Sequence, residues 1–141
     1  MARTDAVDEA RWIARLIVQA SVRVRDDFAH AVEPLDVPVP LARALMMLDV
    51  PAPMHALAER LSCDQSYVTG LATDLEARGL VTREPGDDRR VRVLTPTQSG
   101  IALRGDLARA LGERSRLLNR LTQGDRAELR RILTALLRDQ T

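Results

Sequence analysis

The segment MHALAERLSCDQSYVTGLATDLEARGLV, residues 54–81, decides the fold. Its apolar residues recur every three or four positions in two runs, which is typical of two amphipathic helices. The sequence Ser62-Cys63-Asp64 separates the runs and predicts a tight turn, with Asp64 placed to cap the second helix. Gly79 follows that helix, where a left-handed residue commonly ends the last turn. The segment is therefore predicted to form two short helices, over residues 54–61 and 65–78.

Two short segments after this helical pair predict a β-hairpin. Leu80–Arg83 and Val91–Thr95 are rich in β-branched residues and alternate in polarity. The charge-rich segment 84–90 between them also contains Pro85 and Gly86, which favour a turn. A hairpin directly after two such helices forms a winged helix–turn–helix, whose second helix can enter the major groove of DNA.

Helical patterns continue on both sides of this segment. The predicted class is mainly α with a small β-hairpin wing, in one domain of residues 1–141. The winged helix–turn–helix is expected over residues 41–95, with the hairpin after the fourth helix. The remaining predicted helices are 4–31, 41–48, one from Thr97 to about Arg120, and one opened by the capping box Thr122–Asp125.

Composition excludes several classes of protein. Hydrophobic residues make up 45% and charged residues 29%, the balance of a globular chain rather than a disordered one. No apolar run approaches the roughly 20 residues that span a bilayer, and no signal peptide is apparent, so we expect a cytoplasmic protein. One cysteine, Cys63, excludes an internal disulfide, and the two histidines, His30 and His55, are too few and too far apart to suggest a metal site. No nucleotide-binding, phosphate-loop, metalloprotease or serine-hydrolase motif occurs, so neither enzymatic activity nor a cofactor is expected.

The charge balance does not by itself identify the partner. All 21 basic residues are arginine, a planar cation that can grip phosphate or carboxylate with two hydrogen bonds, yet the formal net charge is only +1. Residues 60–92 contain six arginines and six acidic residues. A positive surface there depends on how these side chains are oriented. A winged-helix module that binds a protein, with weak or no DNA binding, therefore stands as the alternative function.

Residues 54–81 separate into an apolar face and a polar face. The expected core residues are Leu57, Leu61, Val68, Leu71, Leu75, Leu80 and Val81. Short polar residues on the second helix are the candidate DNA contacts, because they can bond base edges or phosphate oxygens; these are Gln65, Ser66, Tyr67, Thr69, Gly70 and Thr73. The same pattern also fits a solvated helix face. In the hairpin, Arg83, Arg89 and Arg90 are candidate DNA contacts, with the last two suited to a minor groove. Asp88 is expected to hold one of these arginines in a fixed rotamer.

The residues quoted above also resemble a known family. The sequence LAERLSCDQSYVTGLATDLEARGLVTRE (residues 57–84), the DDRR of residues 87–90 and the PTQSG of residues 96–100 are similar to the MarR family of bacterial transcription regulators. As a set these motifs are specific, although each one alone is weak. With the long flanking helices, the resemblance extends over nearly the whole chain.

The resemblance implies a homodimer that represses transcription from a palindromic operator. Residues 1–33 and 97–141 would supply the dimerisation helices, Arg90 the wing arginine and Asp88 its orienting acid. Many members bind a phenolic or other small ligand between the dimerisation helices and the DNA-binding part, which releases DNA. Trp12, Met46 and Met47 are candidate effector residues here. Packing across the dimer interface is the favoured alternative for Trp12, and gap-filling in an aromatic-poor core explains the methionines equally well.

Three positions depart from the family pattern. Gly70 stands where members often carry a basic residue, so one bond to DNA is missing and the helix is weaker. The outgoing strand of the wing is about one residue short, which affects the reach of Arg90. Pro96 replaces the leucine usually found before Thr97, and a proline just ahead of a helix cap is structurally tolerable.

Overall fold

The computed structural model describes residues 2–138, with side chains from Thr4 onward. Six α-helices lie in this part of the chain: α1 (Ala2–Val32), α2 (Val39–Met46), α3 (Met54–Leu61), α4 (Gln65–Ala77), α5 (Gln98–Arg114) and α6 (Gln123–Leu137). Three short strands form one antiparallel sheet: β1 (Ala52–Pro53), β2 (Val81–Pro85) and β3 (Arg92–Pro96). The predicted class, mainly α with a hairpin wing after the fourth helix, is confirmed. None of the helices within residues 2–138 is long and apolar enough to cross a membrane.

The sheet has one strand more than the sequence predicts. Its order is β1-β3-β2, with Ala52 opposite Leu94 and Pro53 opposite Val93. Two residues among prolines show no alternating pattern, so β1 could not be recognised from the sequence. Because β1 leads directly into α3, its pairing with β3 ties the base of the wing to the first helix of the helix–turn–helix.

The helix that follows the wing is shorter than predicted. α5 ends at Arg114, and a separate 3-10 turn occupies Leu118–Arg120, where the sequence predicts continued α-helix. The Ser115 hydroxyl accepts a hydrogen bond from the backbone N–H of Leu118 at 3.4 Å. The Asp27 carboxylate accepts one from the N–H of Leu117 at 3.4 Å. These side chains take N–H groups that a continuous helix would pair with its own carbonyls, which explains the early end.

The second helix begins earlier than predicted, at Val39 rather than at residue 41. Pro38 is its N-cap residue and Pro40 lies in its first turn. Both positions tolerate proline, because the first N–H groups of a helix have no intrahelical partner. The prolines therefore open this helix, although their sequence pattern predicts that they belong to the preceding break.

The described residues divide into two compact units, and residues 29–113 form the one that has a core. This core-bearing unit contains the whole predicted 41–95 segment. Its fully buried large side chains are Val32, Leu45, Leu48, Leu57, Val68, Leu75, Val81, Leu94 and Leu107. Six of the seven predicted core residues are buried, and Leu61 is half-buried. The apolar pattern of the two central helices therefore does face inward.

Hydrogen bonds of Thr97 join the end of α4 to the start of α5, and we call this link the latch. It explains the sequence Thr97-x-x-Gly100. The Thr97 hydroxyl donates to the carbonyl oxygen of Gly79 at 2.6 Å and accepts from the N–H of Gly100 at 3.1 Å. Gly79 has a positive φ of 72°, as predicted for the residue that follows α4. A Cβ at position 100 would lie 2.1 Å from the carbonyl oxygen of Leu80, so only glycine fits there.

The other unit consists of residues 2–28 and 114–138 among those described. None of its described side chains is buried in the single chain. Along α1 and α6, large apolar side chains are exposed by a third to three quarters of their area; they include Trp12, Ile13, Leu16, Ile17, Leu129, Ile132, Leu133, Leu136 and Leu137. The Thr122 hydroxyl accepts from the N–H of Asp125 at 3.1 Å, so the predicted cap of α6 is present.

The predicted functional division of the chain stays a prediction. Residues 1–33 and 97–141 are the expected dimerisation segments, and Met1 and residues 139–141 lie outside the described part of the chain. The core-bearing unit extends beyond the predicted 41–95 segment at both ends, since it includes the last turn of α1 and nearly all of α5.

Candidate nucleic-acid interface

The turn between α3 and α4 is tight because Ser62 adopts a left-handed backbone conformation, with φ 53°. Its N–H bonds the carbonyl oxygen of Glu59, and the N–H of Cys63 bonds that of Ala58. Asp64 is the N-cap residue of α4 and has extended backbone angles, as predicted. Its side chain makes no capping hydrogen bond, so its contribution comes from its backbone carbonyl, which accepts from the N–H of Val68 at 3.2 Å.

Helix α4 has a buried face and an exposed face, as the sequence predicts. Val68, Leu71, Ala72 and Leu75 are buried. All six candidate DNA contacts on this helix are exposed: Gln65, Ser66, Tyr67, Thr69, Gly70 and Thr73. Tyr67 is a large side chain with 52% of its area exposed, so it projects into solvent rather than completing the core. This polar face of α4 is available to a partner.

Two threonine hydroxyls on the polar face are already engaged. Thr69 donates to the carbonyl oxygen of Gln65 and Thr73 to that of Thr69, each at 3.0 Å. Each hydroxyl thus donates its only proton to a carbonyl oxygen of the same helix, so towards a partner it can only accept a hydrogen bond. Helix α4 contains no basic residue, so its own side chains cannot make the two-bond arginine contact to guanine. The exposed side chains of α4 that can still donate a hydrogen bond to a partner are the Gln65 amide and the hydroxyls of Ser66 and Tyr67.

The wing is a regular hairpin with a compact tip. β2 and β3 each have five residues, paired from Val81 opposite Pro96 to Pro85 opposite Arg92. The outgoing strand is therefore as long as its partner strand in this chain, and its predicted shortening by about one residue relative to the family stays a prediction. At the tip, the N–H of Gly86 bonds the carbonyl oxygen of Val91 at 2.9 Å.

Asp88 organises the backbone of this tip. Its Oδ1 accepts from the backbone N–H of Arg90 at 3.1 Å, and its carbonyl oxygen accepts from the N–H of Val91 at 2.9 Å. The sequence predicts that Asp88 holds an arginine side chain, whereas the bond in the structure fixes the backbone that carries Arg90. Arg89, Arg90 and Arg92 are all exposed. The wing thus presents three cations from a tip whose backbone conformation is hydrogen-bonded.

Arg83 is in a different environment from the arginines at the tip. Its guanidinium Nη2 donates to the Thr73 hydroxyl at 2.8 Å, and its Nε lies 3.6 Å from the Glu76 carboxylate. Only 26% of its side chain is exposed. The structure therefore brings Arg83 to α4, an arrangement that sequence spacing alone could not reveal.

The candidate effector residues fall in two different units. Trp12 lies on α1, is 59% exposed, and has the Arg15 guanidinium 5.9 Å from its ring centroid. Met46 and Met47, at the end of α2, belong to the core-bearing unit, and they are half-buried and 40% exposed, respectively. Their assignment to an effector site stays a prediction.

No metal-binding group of three or more His, Cys, Asp or Glu side chains occurs among residues 2–138. Cys63 is a free thiol and half-buried.

Gly70 is expected to lower the stability of the folded chain, and no close contact in the structure requires a glycine at this position. A Cβ at this position would meet nothing within 4 Å, so alanine fits without strain. Gly70→Ala should therefore raise the free energy of unfolding by about 1 kcal/mol, because glycine costs that much in a helix interior. Thermal or urea unfolding measures this directly.

Gly100→Ala is the matched control, since its Cβ would meet the Leu80 carbonyl oxygen at 2.1 Å. It should lower the free energy of unfolding by about 2 kcal/mol or more through overpacking. Equal effects of the two substitutions would contradict the packing described here.

Comparison with known proteins agrees with this geometry. A sequence model of the MarR family matches residues 44–91, which run from the end of α2 to the tip of the wing. No curated protein sequence matches the chain. Among solved structures, the transcriptional repressor CouR bound to a 23-mer DNA duplex is 28% identical, with a TM-score of 0.73, over 87% of this chain and 90% of that chain.

Two further structures share the fold at lower identity. A MarR mutant from E. coli, complexed with operator DNA, is 23% identical with a TM-score of 0.73, over 92% of this chain and 96% of that one. CouR from Rhodococcus jostii RHA1, bound to p-coumaroyl-CoA, is 21% identical with a TM-score of 0.78, over 92% of this chain and 94% of that one. The MarR family model therefore matches the helix–turn–helix and the wing, and the fold that the chain shares with these structures extends over most of its length.

Proposed function

We propose that this protein is a transcriptional regulator that binds double-stranded DNA as a homodimer and represses transcription from a palindromic operator. The observation that carries the proposal is the pairing of an exposed polar face on α4 with an exposed, arginine-bearing wing tip, within a segment that matches the MarR family. The proposal is supported by two solved relatives of the same fold that are bound to DNA.

The two parts of the interface have different roles in this proposal. The N-terminal turn of α4 lies in the major groove, where Gln65, Ser66 and Tyr67 contact base edges and phosphates. The wing lies over the adjacent minor groove, where Arg89 and Arg90 meet the negative potential. Affinity then comes mainly from the arginines, because α4 itself carries no cation.

The homodimer is supported by the unit formed by residues 2–28 and 114–138. A unit in which no described side chain is buried has no core of its own, so its exposed apolar side chains require a partner surface. A second copy supplies an equivalent surface, as in the isologous contacts of two-fold dimers. A two-fold dimer presents two α4 helices, which fits an operator with two inverted half-sites about one helical turn apart, roughly 34 Å.

Repression and release by a ligand complete the proposal. Two of the solved relatives are described as repressors, and one is bound to p-coumaroyl-CoA. We infer a small apolar or aromatic effector for this chain, with Trp12, Met46 and Met47 as its candidate contacts. The proposed role also places the protein in the cytoplasm. A thermal-shift screen against aromatic acids and their thioesters tests for such a ligand, since a ligand that binds only the folded state raises the melting temperature.

Selection from a pool of random DNA duplexes tests the proposed function. We expect enrichment of an inverted repeat whose half-site centres are about one helical turn apart, bound more weakly as salt is raised. Recovery of random sequences with no motif would contradict sequence-specific binding. Absence of any binding at low salt would instead favour the protein-interaction module, which the near-neutral charge of residues 60–92 also permits.

A further inference from the structure

We propose that Arg83 is a positioning residue that fixes the wing against α4, and that it is not one of the cations that bind DNA. This proposal rests on the proposed DNA-binding function for its effect on affinity, although its structural consequence is measurable in the free protein. It gives a new role to a residue that the sequence pattern places among the DNA-binding arginines.

The strand geometry turns Arg83 toward α4. Successive side chains of a strand point to opposite faces, so Arg83 shares its face with Val81, which is buried, whereas Thr82 and Glu84 are exposed on the other face. Arg83 also lies opposite Leu94 in the register, and Leu94 is fully buried. The side chain therefore starts from the edge of the core.

The guanidinium has one hydrogen-bond partner and one neighbouring opposite charge, on residues one turn apart on α4, while its buried Nε makes no hydrogen bond to the described residues. Thr73 accepts the hydrogen bond from Nη2 at 2.8 Å, and Glu76 places its carboxylate 3.6 Å from Nε. The Thr73 hydroxyl gives its own proton to the carbonyl oxygen of Thr69, which leaves its lone pairs facing the arginine. These interactions link strand β2 of the wing directly to the helix that is proposed to enter the major groove.

Binding of a phosphate by Arg83 would break this arrangement. The guanidinium would have to leave both Thr73 and Glu76, and the released Glu76 would place an unpaired negative charge beside the DNA. Arg89 and Arg90 at the tip make no such bond to α4, and they are exposed. We therefore assign phosphate binding to the tip and the wing angle to Arg83.

Lysine substitution separates the two roles. A planar guanidinium reaches Thr73 and Glu76 through two different nitrogens, whereas a lysine ammonium is one point charge. If Arg83 positions the wing, Arg83→Lys should weaken operator binding about tenfold with the salt slope unchanged, because the hydrogen bond from a charged group to Thr73 is removed. If it binds phosphate, Arg83→Lys should keep nearly wild-type affinity, and Arg83→Gln should lower the slope by about one for each phosphate that is no longer neutralised. That second pattern would overturn the proposal.

The partner residue provides an independent variant. Thr73→Val keeps the shape of the side chain and removes the oxygen that accepts from Arg83. Amide hydrogen exchange in β2 and β3 of the free protein should be faster in both Thr73→Val and Arg83→Lys than in the wild type, while α6 serves as the internal reference. Unchanged exchange in the wing would refute the positioning role, whatever the DNA measurements show. Failure of the wild type to bind any DNA would refute the proposed function and leave this exchange test valid.

Discussion

Arg90→Ala is expected to weaken operator binding by about tenfold to a hundredfold and to reduce its dependence on salt. Arg90 is exposed at the wing tip, and its backbone N–H donates a hydrogen bond to Asp88. The side chain therefore projects from a fixed point on the backbone. Each phosphate charge neutralised by the protein contributes about 0.9 to the slope of log K against log salt. A homodimer loses two such arginines, so the slope should fall by up to about two. Titration of labelled operator at a series of salt concentrations measures both quantities.

Arg109→Ala is the matched control for this experiment. It removes the same charge from α5, where the Arg109 guanidinium lies 3.3 Å from the Asp106 carboxylate and is exposed. Exposed ion pairs of this kind contribute little to stability, so the variant should stay folded. Equal losses of affinity in Arg90→Ala and Arg109→Ala would show a general effect of net charge and would contradict a specific role for the wing.

Leu133→Asp is expected to abolish the dimer and, with it, tight DNA binding. Leu133 is 36% exposed in the single chain, and it lies on α6 among other exposed apolar side chains. In a monomer such a surface change would cost about 0.5 kcal/mol or less. In the proposed dimer it buries two unpaired carboxylates in an apolar interface, which costs several kcal/mol for each. Sedimentation velocity should therefore show a mass of 15.6 kDa instead of twice that value.

The control for this variant lies two residues further along the same helix. Ala135 is exposed and, at about 100° of rotation per residue, points away from Leu133. Ala135→Asp introduces the same carboxylate near the same end of α6, and it should leave the dimer intact. A wild-type protein that sediments as a monomer, or a Leu133→Asp variant that stays dimeric, would rule out this surface as the dimer interface.

Local patterns predicted most of the fold and the exposure of the candidate DNA contacts on α4. The two central helices were recoverable because the periodicity of Val68, Leu71 and Leu75 records which face is buried. The latch was present in the sequence as Thr97 and Gly100, although its physical reason, the approach of the Leu80 carbonyl, appears only in three dimensions.

What the sequence could not predict depends on interactions between distant elements. Arg83 and Thr73 come together only when β2 packs against α4. From the sequence alone, both are therefore predicted to be DNA contacts. The early end of α5 depends partly on Asp27, which is far away in the chain. The proposed dimer surface differs from these cases, because its apolar stripe is visible in the sequence. The structure adds that this stripe is exposed in the single chain.

Native mass spectrometry of the protein with a duplex of about 25 base pairs carrying the selected operator tests the central claim most directly. We predict one dominant complex of two chains and one duplex. This complex should be absent for the Leu133→Asp variant, and its abundance should depend less steeply on salt for the Arg90→Ala variant. A complex of one chain per duplex, or free DNA beside free protein at low salt, would contradict the proposed dimeric repressor.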